Sequence, residues 1–304
     1  MNAFPSNFTF WGCAGFEKNR SVQVYKHLIS HNLSSSKNHI FYNGEVELYD
    51  YVHETFKQKN DQLLNFVSLK YSDPIYSADK FIEILENDIA LGLTNIVIDI
   101  TTFTREWLLM LLAIFRLPKF SECKITCAYN YAKSMSPTWL SRGPLEMRTV
   151  LGYSGSFFSS KKTHLFLILG HEVERAVAII DSVEPALLTI ATGSKDGSVT
   201  EEMRKINVKF KDYIRTCYSI DTIEVDIDII DYEKSKSGIL GSIQLDGKFN
   251  TVVAPLNTKI STIAAGTICL NNPLIQVCYL PMEQYNTEDF SIPSDSNSFF
   301  SLNT

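Results

Sequence analysis

The sequence predicts an α/β protein built from two tandem Rossmann-like three-layer domains with mainly parallel sheets, related by internal duplication. Three observations predict this fold. Short β-rich runs alternate with segments of helical periodicity along the chain. A Gly-aromatic-Glu motif recurs after about 155 residues, from position 17 to position 172. The chain has 304 residues, which is enough for two domains of ordinary size.

The first half of the chain alternates strands and helices. Its predicted strands are short runs rich in β-branched and aromatic residues, and they cover 8–13, 39–43, 65–69, 95–100 and 124–129. Its predicted helices show apolar residues three or four positions apart, and they cover 21–30, 47–57, 78–92 and 105–116. This alternation is typical of a parallel sheet covered by helices.

The second half repeats the same order of elements. Its predicted strands cover 164–169, 187–192, 222–229, 251–254 and 274–279, and its predicted helices cover 172–181, 200–216, 232–241 and 258–270. We therefore place a first Rossmann-like unit at 1–131 and a second at 164–285.

Two further segments flank the second unit. Residues 132–163 are rich in Pro, Gly and Ser but also contain apolar side chains such as Trp139 and Phe157. We expect a crossover segment that packs on the domains. Residues 286–304 are rich in Ser, Asn and Asp, and we expect a polar, mobile tail that could also bind a partner.

Composition limits the classes of function. Hydrophobic residues make up 45% of the chain and charged residues 20%, as in soluble globular proteins. The net charge of -6 argues against a broad basic surface for double-stranded nucleic acid. The longest apolar helical run, 107–117, is shorter than the roughly 20 residues that cross a bilayer. With no export leader and no Cys-x-x-Cys pair, we expect a cytoplasmic protein without a membrane partner.

The repeated motif follows the first strand of each predicted unit. Residues 15–20 and 170–175 both read Gly, aromatic ring, Glu, two variable residues, Arg. A second match joins Thr104-Arg105 to Thr258-Lys259, each pair opening a helix after an apolar strand. Strands ending in Tyr129 and Tyr279 form a third match. Three matches in the same order at similar separations indicate duplication of a whole unit.

These motifs predict a site for an anionic ligand. Ligands of open parallel sheets bind beyond the carboxyl ends of the strands, where strand order reverses. A helix N-terminus disfavours a basic first residue unless an anion is bound there as well. Our candidate ligand-binding residues are Glu17, Arg20, Thr101, Thr102, Thr104, Arg105, Glu172, Arg175, Asn257, Thr258 and Lys259.

The same residues also admit plainer interpretations. The Glu and Arg of each motif could form surface ion pairs with i,i+3 spacing. Thr101, Thr104 and Asn257 could be ordinary helix N-caps. His27 and His31 have metal-pair spacing but no accompanying acidic or Cys ligand, so we predict no metal.

The case for catalysis is weak. Neither a dinucleotide-binding glycine motif nor a P-loop follows a predicted strand, and we predict no cofactor. No Ser-His-Asp or Cys-His arrangement can be placed by spacing, so catalytic residues stay unknown. Four carboxylates lie near the predicted cleft and are the candidates for a general acid or base, namely Glu17, Asp99, Glu172 and Asp181.

The leading hypothesis is a regulatory or sensor protein that binds an anionic small molecule, such as a nucleotide, in a cleft formed by the two duplicated lobes. The architecture resembles that of tandem Rossmann-type sensors of nucleotide second messengers, such as the CRISPR-associated Rossmann fold. The resemblance implies action through a partner protein or a homo-oligomer. Two alternatives stay open: an enzyme acting on a nucleotide or sugar phosphate, and a non-catalytic interaction subunit of a larger complex.

Overall fold

The chain forms two compact α/β units. The computed structural model describes residues 7–46, 56, 64–245 and 247–302. The first unit comprises Met1–Ala132 with Ile292–Thr304, and the second comprises Lys133–Ser291. Apart from Phe56, the helix predicted over 47–57 lies outside the described residues.

A six-stranded sheet forms the centre of the first unit. Its strands are β1 (Thr9–Ala14), β2 (Lys37–Asn43), β3 (Leu64–Leu69), β4 (Asn95–Asp99), β5 (Lys124–Met135) and β14 (Ser291–Leu302). The order across the sheet is β14-β5-β4-β1-β2-β3, and β1 to β5 pair in parallel. Every residue of β1 is buried, as expected for a parallel strand covered on both faces.

Helices connect these parallel strands. They are α1 (Lys18–Ser21), α2 (Gln23–Ser30), α3 (Pro74–Ala90) and α4 (Arg105–Phe115), followed by a short 3-10 helix (Pro118–Phe120). The side chain of Asp73 accepts a hydrogen bond from the Tyr76 backbone N–H at the start of α3, where Pro74 takes the first helical position. Both features favour a helix start.

The second unit is built on a second six-stranded sheet. Its strands are β7 (Arg148–Thr149), β8 (Lys162–Ile168), β9 (Leu187–Gly193), β10 (Asp221–Ile227), β11 (Phe249–Pro255) and β12 (Gln276–Tyr279). The order is β10-β9-β8-β11-β12-β7, with β7 antiparallel at the edge. The helices are α5 (Val173–Val183), α6 (Glu201–Cys217), α7 (Tyr232–Ser242) and α8 (Lys259–Leu270).

The two units share one strand order. In each, the five parallel strands lie in the order third, second, first, fourth, fifth. This is the Rossmann arrangement, in which strand order reverses between the first and the fourth strand. The predicted fold of two Rossmann-like units with mainly parallel sheets is confirmed.

The segment at 132–163 belongs to the second unit from Lys133 onward. Within it, β6 (Ser141–Pro144) pairs antiparallel with β13 (Met282–Tyr285) to form a two-stranded ribbon. Its apolar side chains Leu140 and Tyr153 are buried, which gives the segment the packed character expected from its composition.

The C-terminal segment differs from the mobile tail expected at 286–304. Residues of β14 lie beside β5 at the edge of the first sheet. The Asn130 side-chain amide donates to the carbonyl oxygens of Ser294 and Ser296, at 2.9 and 3.3 Å. Polar composition suggested mobility, but main-chain hydrogen bonds to a sheet edge do not depend on apolar side chains.

Each unit has its own apolar core. The first centres on Phe10, Ile40 and Val97, and the second on Leu165, Ile180 and Ala254. In the part of the chain that the structure describes, no helix combines the length and the apolar character that a membrane span requires.

Candidate functional site

The first and fourth strands lie side by side in both units. Trp11 of β1 stands opposite Ile98 of β4, and Leu167 of β8 stands opposite Ala254 of β11. The loops that follow these strands therefore meet at the carboxyl edge of each sheet. A Cβ at Gly170 would lie 2.0 Å from the carbonyl oxygen of Leu256, so this approach requires a glycine.

In the first unit, the repeated motif forms a buried cluster. The Arg20 guanidinium donates to the Glu17 carboxylate at 2.9 Å and to the Asn130 carbonyl oxygen at 2.8 Å. It also lies 5.8 Å from the centre of the Tyr129 ring. Only 5% of Arg20 is exposed. Burial lowers the pKa of Arg20, but Glu17 and Tyr129 raise it more, so its pKa lies above the ordinary value.

The second unit repeats this cluster. A guanidinium nitrogen of Arg175 lies 3.1 Å from the Glu172 carboxylate, and the same nitrogen donates to the Tyr285 hydroxyl at 3.1 Å. The centre of the Tyr279 ring is 6.0 Å from the guanidinium carbon. Ser141 of β6 donates to Glu172 at 2.5 Å. Burial lowers the pKa of Arg175, while Glu172 and the two tyrosines raise it above the ordinary value.

These ion pairs are interior features of the two units. The alternative of exposed surface pairs is wrong, because Arg20, Arg175 and Glu172 are all buried. A buried guanidinium needs charge and hydrogen-bond partners, and the motif supplies the carboxylate three residues before it. Tyr129 and Tyr279 complete the clusters, and whereas Tyr279 ends β12, β5 continues past the predicted end at Tyr129 to Met135. The sequence repeat identified Tyr129 and Tyr279 only as predicted ends of equivalent strands. It could not show their contacts with Arg20 and Arg175, because these residues lie more than 100 positions apart in the chain.

The loop after β4 is tied to its surroundings by three threonines. Thr102 donates from its hydroxyl to the Cys13 carbonyl oxygen at 2.6 Å. Thr101 accepts from the Asn130 backbone N–H at 2.9 Å. Thr104 caps α4 by accepting from the Trp107 backbone N–H at 3.1 Å. The N-cap interpretation is therefore correct for Thr104 but wrong for Thr101.

The equivalent loop after β11 is cross-linked more densely. Asn257 donates to the Leu169 carbonyl oxygen and accepts from the Thr258 backbone N–H at 2.9 Å. The Thr258 hydroxyl donates to the Ile229 carbonyl oxygen at 2.5 Å and accepts from the Ser261 backbone N–H, capping α8. The side chains of this loop thus bind neighbouring main chain of the same unit.

The two basic residues lie where the sequence predicted. Arg105 opens α4 and Lys259 opens α8, and both are partly buried. The buried Glu106 follows Arg105 in the first turn, whereas no acidic residue lies in the first turn of α8. The positive ends of the two helices therefore differ in local charge. Ligand contact by either residue remains a prediction.

Asp99 lies at the end of β4 in the same region of the first unit. It is 1% exposed, and one carboxylate oxygen accepts from the Thr101 backbone N–H at 3.0 Å. The other oxygen, Oδ2, has no hydrogen-bond partner among the described residues. Burial raises the pKa of Asp99 to about 7, against the opposing effects of Thr101 and Arg20. Such a carboxyl can exchange a proton near neutral pH.

Asn130 is a buried residue that the sequence did not indicate. Its side-chain amide nitrogen is engaged by β14, while its Oδ1 has no hydrogen-bond partner in the part of the chain described. Asn130 directly follows Tyr129, the tyrosine that recurs in the second unit. In the sequence, only this adjacency could have pointed to Asn130 as a functional residue. Asp99, Thr101, Asn130 and Arg20 form one connected polar cluster.

Other carboxylates and histidines lie elsewhere. Asp181 is near the end of α5 and accepts from the Tyr218 hydroxyl at 2.6 Å, whereas the motif residues lie at the start of that helix. His27 and His31 lie with ring centres 4.2 Å apart. Among the described residues, no group of three or more His, Cys, Asp or Glu side chains could hold a metal ion.

Comparison with known proteins supports the fold. A structure titled as a type III CRISPR defence DNA nuclease activated by cyclic oligoadenylate is similar, with a TM-score of 0.54 and 6% identity. The match covers 86% of this chain and 63% of the nuclease chain, so this chain spans less than two thirds of that protein. At this identity the likeness concerns the fold alone.

Two other structures match at a lower level. They are a universal stress protein from Archaeoglobus fulgidus, with TM-score 0.27, 9% identity and coverage of 92% and 97%, and a UDP-GlcNAc 2-epimerase from Methanocaldococcus jannaschii, with TM-score 0.27, 11% identity and coverage of 93% and 97%. No family model and no curated protein matches the sequence.

Proposed function

We propose that this protein is an intracellular sensor that binds a nucleotide at the carboxyl edge of its parallel strands and acts through a partner protein or a homo-oligomer. The observation that carries the proposal is the same in both units. The strand that precedes the Glu-Arg motif pairs with the strand that precedes a helix opened by a basic residue, and strand order reverses between them. Backbone N–H groups at such helix starts, together with Arg105 or Lys259, suit a phosphate.

The similarity in fold to a nuclease activated by cyclic oligoadenylate supports a nucleotide rather than another anion. A rigid cluster behind the loops also suits a sensor, because it would keep the loop main chain in position before the ligand arrives. The first strand and the helix after it would then report ligand occupancy to the rest of the unit.

The test is a thermal-shift screen with AMP, cyclic oligoadenylates and inorganic phosphate. A ligand present at 100 times its Kd stabilises the native state by about 2.7 kcal/mol. We expect a nucleotide to raise the Tm of the wild-type protein. The Arg105→Ala, Lys259→Ala double variant should lose most of that increase, because it lacks both cations at the helix starts.

The matched control is the Lys80→Ala, Lys236→Ala double variant, which makes the same change in net charge. Lys80 and Lys236 form ion pairs with Glu83 and Glu233 on their own helices. The control should respond to the nucleotide as the wild type does.

Full stabilisation of the Arg105/Lys259 double variant would contradict the proposed site. No shift with any probe would contradict the proposed function, and turnover of a stabilising nucleotide would favour the enzyme alternative.

A further inference from the structure

The two units differ at the end of the fourth strand and at a nearby position of the fifth strand. In the register that equates the two glycine motifs, Asp99 corresponds to Ala254. The strand pairing gives the same result, since Ile98 faces Trp11 one residue before Asp99, and Val253 faces Phe166 one residue before Ala254.

The fifth strands show the same contrast. The strand-ending tyrosines equate Asn130 with Leu280. Ala254 and Leu280 both belong to the apolar core of the second unit, together with Leu256 in the loop between them. At these two positions, the polar residues of the first unit are therefore replaced in the second by residues of its apolar core.

This contrast shows that the fold does not require the polar cluster. The second unit builds the same strand order with Ala254 and Leu280 at these positions. Burying a carboxyl and an amide with unpartnered oxygens costs stability, whereas apolar groups of suitable shape do not carry that penalty. A polar group kept at such a cost, at a ligand-binding edge of a sheet, indicates function.

Two buried oxygen atoms define the chemistry of recognition. Oδ2 of Asp99 and Oδ1 of Asn130 are both acceptors, and the Asn130 orientation is set by its donation to Ser294, Ser296 and Asn297. The amide oxygen of Asn130, and the Asp99 carboxylate when it is ionised, each need a hydrogen-bond donor, which a bare phosphate oxygen does not supply. Hydroxyl and amino groups are suitable donors, and a nucleotide carries them on its ribose and base.

We propose that only the first unit holds the nucleotide, and that Asp99 and Asn130 accept hydrogen bonds from its ribose hydroxyl or base amino groups. This inference rests on the proposed function. In the second unit, the loop side chains Asn257 and Thr258 bind their own main chain, and the strand ends are apolar. The chain then binds one nucleotide rather than two.

The experiment is isothermal titration calorimetry of the full-length protein with AMP and with cyclic oligoadenylates. In Asp99→Asn, the amide keeps the side-chain shape but can turn an N–H toward the ligand donor. We expect one ligand per chain in the wild type and roughly tenfold to hundredfold weaker binding in this variant. Asp99→Ala, which introduces the residue of the second unit, should weaken binding similarly.

Two readouts separate this role from structural support. The Tm of unliganded Asp99→Asn should equal or exceed that of the wild type, because a neutral amide replaces the buried carboxyl and still accepts from the Thr101 backbone N–H. Asp212→Ala, on the exposed face of α6, is the matched control and should bind as the wild type does. A lower Tm in Asp99→Asn, unchanged affinity in both variants, or two equal sites per chain would overturn the inference alone. If no probe binds the wild-type protein, the proposed function fails as well.

Discussion

His171 and Phe16 occupy the same position of the repeated motif, yet only His171 is titratable. Burial lowers the pKa of His171 to about 4, and the neighbouring Glu172 opposes this shift. The Nε2 atom of His171 has no hydrogen-bond partner among the described residues. Because the native state keeps the ring neutral, the unfolded chain binds a proton more readily as the pH falls below about 6.5.

The His171→Phe variant should therefore resist acid better than the wild type. The stability that the neutral ring contributes is present above about pH 6.5 and is lost as the pH falls toward 4. We expect the variant to lose less unfolding free energy than the wild type between pH 7.5 and pH 5, as measured by urea denaturation. His31→Phe, which changes an exposed ring, is the control. Equal losses in His171→Phe and the wild type would contradict the assignment.

The Glu172–Arg175 pair connects α5 to the β6–β13 ribbon. Ser141 of β6 and Tyr285 of β13 both bond to it, and Glu174 of α5 accepts from the Gly143 backbone N–H at 3.2 Å. An interior ion pair of this kind contributes less to net stability than to the placement of the elements it joins.

Removing only one partner of this pair should be costly. Arg175→Ala leaves the Glu172 carboxylate buried beside fewer donors, and we expect the unfolding free energy to fall by about 3–5 kcal/mol. The Glu172→Gln, Arg175→Met double variant removes both charges and should lose less. Urea denaturation of the full-length variants measures both values. If the double variant is less stable than Arg175→Ala, the expectation is wrong. The ion pair would then stabilise the contact between α5 and the β6–β13 ribbon by itself, and the cost of Arg175→Ala would not come from leaving Glu172 without its partner.

At the scale of the whole molecule, the first unit is discontinuous in sequence. It takes its edge strand β14 from the end of the chain, after the second unit is complete. The second unit is one continuous segment with its own core. The two units should therefore differ in their capacity to fold as isolated fragments.

We expect a fragment of residues 133–291 to unfold cooperatively by itself. A fragment of residues 1–132 lacks β14, which pairs with β5 and accepts a hydrogen bond from the Asn130 side-chain amide. This fragment should therefore melt at a lower temperature than the fragment of residues 133–291. Addition of a peptide covering 291–304 should raise that temperature. Thermal melts followed by circular dichroism measure each effect, with a peptide of scrambled sequence as the control. An unchanged Tm with the native peptide would contradict the role of β14 in the first unit.

Local patterns determined the fold class and the order of the parallel strands and connecting helices along the chain. Alternating periodicities and recurring motifs carry that information within short stretches, which is why the elements at 95–100 and 105–116 match β4 and α4 closely. The same patterns identified Arg20 and Arg175 as equivalent residues. They could not show that both are buried against tyrosines more than 100 residues away.

Only the tertiary structure decided which polar residues share a cluster and where the last segment lies. Strand pairing over long sequence distances brings Asn130 to Thr101 and β14 to β5, and no local periodicity records such pairs. The sequence offset equates Asp99 with Ala254, but only tertiary packing shows that Asp99 lies in a polar cluster and Ala254 in an apolar core. A duplicated sequence thus determined two similar units, while long-range packing decided how their interiors differ.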